Sequence, residues 1–234
     1  MTVPLVAAAV CPHPPMIVPE VASGAAPELD PLRAACDAAV RRLAESGARS
    51  LLVVGNNSST VDYNFPVRAS FARWGLPEPP GEPPSLPLSL SVGEWLINRA
   101  FVPIPAVHRR FVAIGDGTPV DECAAFARRI EPEGPWALLA MGDGSACRGI
   151  GAPGYDDPRA LPYDEAVERA LASADLDALT SLDPVLSAEL MVSGRAPWQV
   201  LAAAAAGGTW RATMEYSGAP YGVAYFVASW EREL

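Results

Sequence analysis

The chain has 234 residues, a formal net charge of -10 and no lysine, so all 17 of its basic residues are arginines. Half of the residues are hydrophobic, which suffices for a sizeable core, and the sequence predicts one domain over residues 1–234. The acidic balance and the lack of a basic stripe argue against a nucleic-acid partner, and no apolar run approaches the roughly 20 residues that span a bilayer.

The cysteine spacing and the N-terminal residues indicate the cellular compartment of the protein. The cysteines lie far apart in the chain and form no C-x-x-C pair; they are Cys11, Cys36, Cys123 and Cys147. This spacing predicts neither a zinc knuckle nor a redox dithiol. The short apolar run at the N-terminus lacks the positive region of a secretion signal. We therefore expect a cytoplasmic protein with four free thiols and no membrane association.

In the first half, strand-like and helix-like segments alternate, which is typical of βαβ units and a largely parallel sheet. The predicted strands are residues 3–10, 50–55, 110–115 and 135–141, and the predicted helices are 28–46, 92–101 and 119–130. Residues 56–91 show no regular pattern and include six prolines between positions 76 and 88. A loop of this length is usually functional or mobile, so we interpret it as a lid or cavity wall, with an extended surface excursion as the alternative.

The second half is predicted to be mostly helical and to return to the sheet at its end. The predicted helices are residues 163–173, 176–182, 184–193 and 196–206, and the predicted strands are 210–216 and 222–230. Residues 217–220 between these strands have the composition of a hairpin turn. The returning strands are expected to complete the first sheet. The predicted fold is therefore a single three-layer α/β domain with a mostly parallel central sheet flanked by helices.

Two segments at the ends of predicted strands carry the candidate chemistry. His13 follows the first strand within Cys11-Pro12-His13-Pro14-Pro15, where the prolines stiffen the backbone that presents the imidazole. Asp143 lies in a glycine-rich turn after the strand that ends at Met141. Parallel strands end at one edge of a sheet, where open α/β folds bind ligands. His13 is thus a candidate catalytic residue, although a histidine that only hydrogen-bonds within a turn gives the same pattern.

Four short motifs follow one another along the chain: Cys11-Pro12-His13-Pro14-Pro15 with Val18-Pro19-Glu20, Gly142-Asp143-Gly144-Ser145-Ala146, Ser187-Ala188-Glu189-Leu190-Met191 leading to Trp198, and Ala219-Pro220-Tyr221-Gly222-Val223. In this order they resemble the class III extradiol ring-cleavage dioxygenases of the LigB-like family, which includes their catalytic subunits, and the chain would be a divergent member. The resemblance spans most of the chain. It implies a non-haem Fe(II) centre of two histidines and one glutamate, which leaves positions open for a catechol-like aromatic substrate and dioxygen.

Within that resemblance, His13 and Glu189 match two of the iron ligands, but the third position departs from the family. Asn57 stands where the second histidine is expected, and an amide oxygen is a weak ligand for iron. Ala146 stands near the expected position of a further histidine that manages substrate protons, so Asp143 is left for that role. The predicted metal set is therefore His13, Glu189 and Asn57, with His13 and Asp143 as the catalytic pair.

Other residues near these motifs are predicted to bind the substrate, and the function remains open between three classes. The predicted substrate-binding residues are Asn56, Ser145, Arg148 and Tyr221. The first class is an iron-dependent dioxygenase, and the second is an enzyme with different or metal-free chemistry in the same cavity. The third is a non-catalytic binding or regulatory relative. The resemblance also implies a homodimer or a partner subunit.

Overall fold

The computed structural model describes residues 4–64, 66–78, 85–100 and 108–233. The strands are β1 (Leu5–Cys11), β2 (Ser50–Asn57), β3 (Val61–Tyr63), β4 (His108–Gly115), β5 (Trp136–Met141), β6 (Trp210–Gly218) and β7 (Tyr225–Arg232). The α-helices are α1 (Pro19–Ala22), α2 (Asp30–Glu45), α3 (Leu88–Arg99), α4 (Val120–Arg128), α5 (Ala160–Ser173), α6 (Leu176–Thr180), α7 (Pro184–Glu189) and α8 (Arg195–Ala205).

The strands form one mixed sheet in the order β3-β4-β2-β5-β1-β7-β6. The four strands β4, β2, β5 and β1 run parallel, whereas β3, β7 and β6 are each antiparallel to their neighbours. Strand β5 lies between β1 and β2, because Ala140 faces Val10 on one side and Val54 on the other. The sheet is thus parallel only at its centre, because the outer strands β3, β7 and β6 run in the direction opposite to the strand beside each of them.

Two buried layers of side chains cover the two faces of the sheet. Along β1, Ala8 and Val10 pack into one layer, whereas Ala9 and Cys11 pack into the other, as the alternation of a strand requires. The first layer includes residues of α4, α5, α6 and α8, and the second includes residues of α2 and α3. The central strands are buried on both faces, which explains their continuous apolar sequences. The predicted α/β class is confirmed.

Most predicted elements are found within a few residues of their predicted bounds, but the segment 56–91 is more ordered than its sequence indicates. It contains β3, a 3₁₀ turn at Ala72–Trp74 and the first turn of α3, which begins at Leu88 instead of residue 92. The helix predicted for residues 184–193 ends at Glu189, and Met191 has a positive φ of 56° that no α-helix accommodates. The predicted end of a helix at residue 101 falls outside the described residues.

The four cysteine thiols are all free and all buried. In the part of the chain that the structure describes, no helix is both long enough and apolar enough to cross a membrane. The short helices are instead amphipathic or fully buried elements that cover the sheet.

Candidate functional site

A cavity of about 660 Å³ lies at the carboxyl edge of the parallel strands. It is lined by His13 after β1, by the end of β2, by the turn after β4 and by the segment between β2 and α3. The lining residues are His13, Asn56, Asn57, Ser58, Tyr63, Ser70, Ala72, Arg73, Trp74, Glu78, Ser85, Leu86, Pro87, Leu88, Ser89 and Asp116. Most of these are polar, so the cavity suits a polar molecule.

His13 is buried, with only 5% of its surface exposed, yet it lines this cavity. Its backbone N–H donates to Asp143 Oδ1 at 2.8 Å, and its ring Nδ1 lies 3.7 Å from the same oxygen. Nδ1 has no hydrogen-bond partner. Because Nδ1 is shielded from solvent and lies on the side of Asp143, it is the rest of the imidazole that lines the cavity.

Asp143 is held in place by the chain on both sides of it. The Gly142 N–H donates to the carbonyl of Cys11 at 3.0 Å, which fixes the turn to the end of β1. The Asp143 N–H donates to Ser193 Oγ at 3.0 Å, and the Asp143 carbonyl accepts from the Gly194 N–H at 2.9 Å. A Cβ on Gly142 would lie 2.3 Å from Gly194 Cα, so only glycine permits this approach.

The environment of Asp143 alters its acidity and couples it to His13. Burial raises the pKa of the Asp143 carboxyl above its usual value, and the His13 ring and backbone N–H offset only part of this effect. A carboxylate behind an imidazole orients the ring and stabilises its protonated form, as in the oriented bases of many hydrolases. The structure thus brings His13 and Asp143 together through the backbone hydrogen bond, with the ring 3.7 Å from the carboxylate.

One wall of the cavity comes from the ends of β2 and β4. Asn56 donates from Nδ2 to Asp116 Oδ1 at 2.9 Å, and its carbonyl accepts from Ser89 Oγ at 2.7 Å. The Asn57 side chain makes one long hydrogen bond, from Nδ2 to the carbonyl of Ser59 at 3.4 Å. The side chain of Asn57 is therefore only weakly engaged and can contact a ligand. Asn56 and Asn57, both predicted from the sequence, share the cavity with His13.

The opposite wall is built by the segment predicted as a lid or cavity wall. Glu78 accepts hydrogen bonds from Ser70 at 2.5 Å and from Ser85 at 2.6 Å, and it lies 3.3 Å from Arg68. The serine hydrogen bonds, with a contribution from Arg68, lower the pKa of Glu78. Because Ser70, Ser85 and Glu78 all line the cavity, this network holds two parts of the wall together.

Three residues predicted to bind the substrate lie outside the cavity lining. Ser145 is fully buried, and its hydroxyl donates to Asp164 Oδ2 at 2.6 Å. The Nε of Arg148 lies 4.0 Å from the same carboxylate oxygen. Tyr221 donates from its hydroxyl to Glu28 Oε2 at 2.8 Å. Each of these side chains has a structural partner, and none of them lines the cavity that contains His13.

The predicted metal ligands are not brought together. Glu189 lies at the end of α7 with half of its side chain exposed, and it forms an ion pair with Arg159 at 2.6 Å. It does not line the cavity that His13 and Asn57 share. Within the described ranges, no three histidine, cysteine, aspartate or glutamate side chains form a group that could hold a metal ion. The residues present therefore do not fit the family's two-histidine, one-glutamate iron centre.

The sequence missed several residues of the cavity and one structural carboxylate. Asp116 gave no signal beyond its place after a strand, and Arg73, Trp74, Glu78 and Ser89 lie in a segment without periodicity. Asp164 lies on the buried face of α5. A carboxylate at such a core position of a helix is rarely buried without a partner, and this pattern could have indicated its role. The cavity wall is formed by residues that are distant in sequence, and only the fold brings them together.

Comparison with known proteins supports the fold. No family model matches the chain, and no curated protein matches its sequence. Among solved structures, the chain is similar to an uncharacterized protein, JW3007, from Escherichia coli K12, with a TM-score of 0.58 and 15% sequence identity. The match covers 97% of this chain and 99% of that one. The likeness shows that the two proteins share a fold.

Proposed function

We propose that the chain is a divergent relative of the class III extradiol dioxygenases that transforms a small polar molecule by metal-free acid–base chemistry. The observation that supports this most directly is His13. Its imidazole lines the cavity, and Asp143 Oδ1 lies 3.7 Å from its shielded Nδ1. A histidine with an orienting carboxylate in a concave, polar site is the usual arrangement of a general base.

The proposed chemistry is proton transfer by the His13 ring. In the reaction, His13 takes a proton from a substrate hydroxyl, an activated C–H group or a bound water. Asp143 accepts a hydrogen bond from Nδ1–H and stabilises the imidazolium that forms. The separation of 3.7 Å exceeds a hydrogen bond, and such contacts commonly shorten when a ligand binds.

The cavity lining supports a small polar substrate with a planar or apolar part. The amides of Asn56 and Asn57 line the cavity at the end of β2, and Tyr63 and Trp74 add aromatic surface to the lining. Amide groups fix orientation by hydrogen bonds, and aromatic side chains cover the apolar part of a ligand. The aromatic substrate that the family resemblance implies is therefore compatible with this cavity.

The iron chemistry of the resembling family is not part of this proposal, because Glu189 pairs with Arg159 and Asn57 replaces a histidine. An anaerobic Fe(II) titration by calorimetry tests this directly, with His13→Ala and Glu189→Ala beside the wild type. We expect no stoichiometric binding. Stoichiometric binding that both variants lose would overturn the metal-free proposal and support the dioxygenase.

The histidine content permits a direct search for the ligand. The chain contains only His13 and His108, so the two imidazole Hε1 resonances in an NMR spectrum are assigned by one substitution each. His108 is exposed at the start of β4, at the opposite end of the strand from the cavity, and serves as an internal control. We expect a cavity ligand from a metabolite mixture to shift the His13 resonance and leave the His108 resonance in place.

Turnover then separates an enzyme from a binding protein. The ligand found by NMR is incubated with wild type and with His13→Gln, and product formation is followed in the same spectra. The proposal predicts product with the wild type, and binding without product for His13→Gln. If the wild type binds the ligand and yields no product, the chain is a binding or regulatory protein and the proposed enzyme activity is wrong.

A further inference from the structure

Arg195, the first residue of α8, carries a charge and is nevertheless only 3% exposed. Its guanidinium donates from Nη1 to the carbonyl of Thr118 at 2.5 Å and from Nη2 to the carbonyl of Asp116. Nη1 also donates to Gln199 Oε1 at 3.0 Å. These three acceptors are uncharged, so none of them offsets the cost of burying the guanidinium with an opposite charge. What Arg195 supplies is a planar fork of donors that holds two carbonyls of one turn at the same time.

Gln199 fixes the orientation of this fork. It lies one helical turn after Arg195 on α8 and is buried. Its Nε2 donates to the carbonyl of Thr180 at 3.1 Å and to the carbonyl of Leu182 at 3.0 Å. Because both amide donors of Gln199 are occupied at the end of α6, its oxygen is turned toward Arg195. The guanidinium is thus directed by α6 and α8, which lie outside the cavity lining.

The turn that Arg195 holds also contacts both asparagines of the cavity. Asp116 follows β4, and its N–H donates to the carbonyl of Asn57 at 2.8 Å. Its Oδ1 accepts from Asn56 Nδ2 at 2.9 Å. Asn56, Asn57 and Asp116 all line the cavity. Asp116 therefore contacts each asparagine through a different group and Arg195 through its carbonyl, so a shift of this turn would move both asparagines.

The two residues before Arg195 hold the other half of the candidate site. Ser193 Oγ accepts from the Asp143 N–H at 3.0 Å, and the Gly194 N–H donates to the Asp143 carbonyl at 2.9 Å. Asp143 Oδ1 in turn accepts from the His13 N–H at 2.8 Å. Three consecutive residues, Ser193, Gly194 and Arg195, which we call the bridge segment, therefore contact the supports of both halves of the site.

We propose that the bridge segment positions both halves of the site. Arg195 positions the two cavity asparagines through Asp116, and Ser193 positions His13 through Asp143. This inference rests on the proposed function, since it assigns positioning roles within that site. The bridge residues do not line the cavity, so they act through these neighbours and not on the ligand. A general base must lie within hydrogen-bond reach of the proton that it takes, and the bridge segment fixes the spacing between that base and the amides that orient the substrate.

Two sets of NMR resonances in the intact chain report the two halves separately. The chain has four asparagines and one glutamine, so the side-chain amide region of the spectrum holds few signals. Asn56→Ala and Asn57→Ala assign the amide signals at the cavity. The His13 Hε1 resonance reports the other half of the site. Neither readout needs a substrate, so a failure of the proposed acid–base activity leaves this test intact.

The variants change one contact of the bridge segment at a time. Arg195→Lys keeps the charge but loses the fork, Arg195→Gln loses both, and Ser193→Ala removes the acceptor of the Asp143 N–H. Arg33→Lys and Arg33→Gln are the matched controls, because Arg33 is also 3% exposed and donates to the carbonyls of Ile17 and Ala26, which do not line the cavity. Thermal unfolding shows which variants fold; if Arg195→Gln does not, Arg195→Lys carries the comparison.

We expect both Arg195 variants to shift the Asn56 amide signals and to raise the exchange rate of its amide protons with water by about tenfold, the factor that the loss of one hydrogen bond allows. The His13 Hε1 resonance should stay in place in these variants. Ser193→Ala should show the opposite pattern, and the Arg33 controls should lower the Tm without moving the Asn56 signals.

Two results would overturn the proposal. Asn56 and Asn57 signals that keep their positions in the Arg195 variants, or that move equally in the Arg33 controls, show that Arg195 is only a structural residue. A His13 resonance that Ser193→Ala leaves unchanged shows that the bridge segment does not position the base.

Discussion

Replacing Ser145 with alanine decides whether this residue is structural or binds substrate. The change removes the hydrogen bond from Ser145 Oγ to Asp164 Oδ2, which is 2.6 Å long and fully buried. A buried hydrogen bond to a charged group contributes about 1.5–3 kcal/mol, so we expect a loss of about 2 kcal/mol in the free energy of unfolding. In a protein of this length, that loss lowers the Tm by roughly 4–8 °C.

The size of this loss should depend on pH. Burial raises the pKa of Asp164, and the hydrogen bonds from Ser145 oppose that rise. Without the hydroxyl, the pKa rises further, because the ionised carboxylate loses a donor. The deficit of Ser145→Ala should therefore be largest where Asp164 is ionised in the wild type. It should shrink as the pH falls through the raised pKa toward the ordinary value of 3.8.

Urea unfolding of wild type and Ser145→Ala at several pH values between neutral and acid measures both effects. Ser58→Ala is the control, because Ser58 is an exposed serine at the cavity. We expect its free energy of unfolding to stay within about 0.5 kcal/mol of the wild type. A deficit for Ser145→Ala of the same small size, or one that is independent of pH, would refute the structural role.

Three further substitutions test the elements that surround the site. Gly142→Ala brings a Cβ within 2.3 Å of Gly194 Cα, so we expect its free energy of unfolding, measured with urea, to fall by about 3 kcal/mol. Gly24→Ala is the control, because there is open space around Gly24 and the free energy of unfolding should change little. Asp143→Asn should raise the free energy of unfolding at neutral pH, because burial raises the pKa of the carboxyl and the folded state therefore opposes its ionisation. That gain should vanish below the ordinary pKa of aspartate; a loss at neutral pH would contradict it. Glu78→Gln should destabilise the protein above the ordinary pKa of glutamate, because hydrogen bonds lower the pKa of Glu78, and the difference should disappear as the pH falls through that lowered value. An unchanged pH profile of unfolding would show that the Glu78 carboxylate does not hold the cavity wall.

Local patterns in the sequence predict most of the secondary structure. The strands β1, β2 and β5 have continuous apolar sequences because both of their faces are buried, and the helix α2 has an apolar stripe. Such patterns depend on neighbours within a few residues. Strand β3 has only three residues and pairs with β4 at the edge of the sheet, so it has no pattern of its own. Its position depends on contacts with a distant segment.

The candidate site was predicted in part. The rule that parallel strands end at one edge placed His13, Asn56, Asn57 and Asp143 together, and the structure brings them to one end of the sheet. This rule concerns the ends of strands and does not predict the direction in which a side chain on a helix points. Glu189 therefore entered the predicted metal set by resemblance, whereas the packing of α7 turns it toward Arg159 at the surface.

The sequence alone determined the α/β class, the positions of the central strands and the histidine at the end of the first strand. These features follow from the periodicity of apolar residues and from proline chemistry, which act locally along the chain. Only the tertiary structure decided the antiparallel outer strands, the second cavity wall and the buried partner of Ser145. Each of these joins residues that are far apart in sequence, so each depends on how complete elements pack and not on any short stretch of residues.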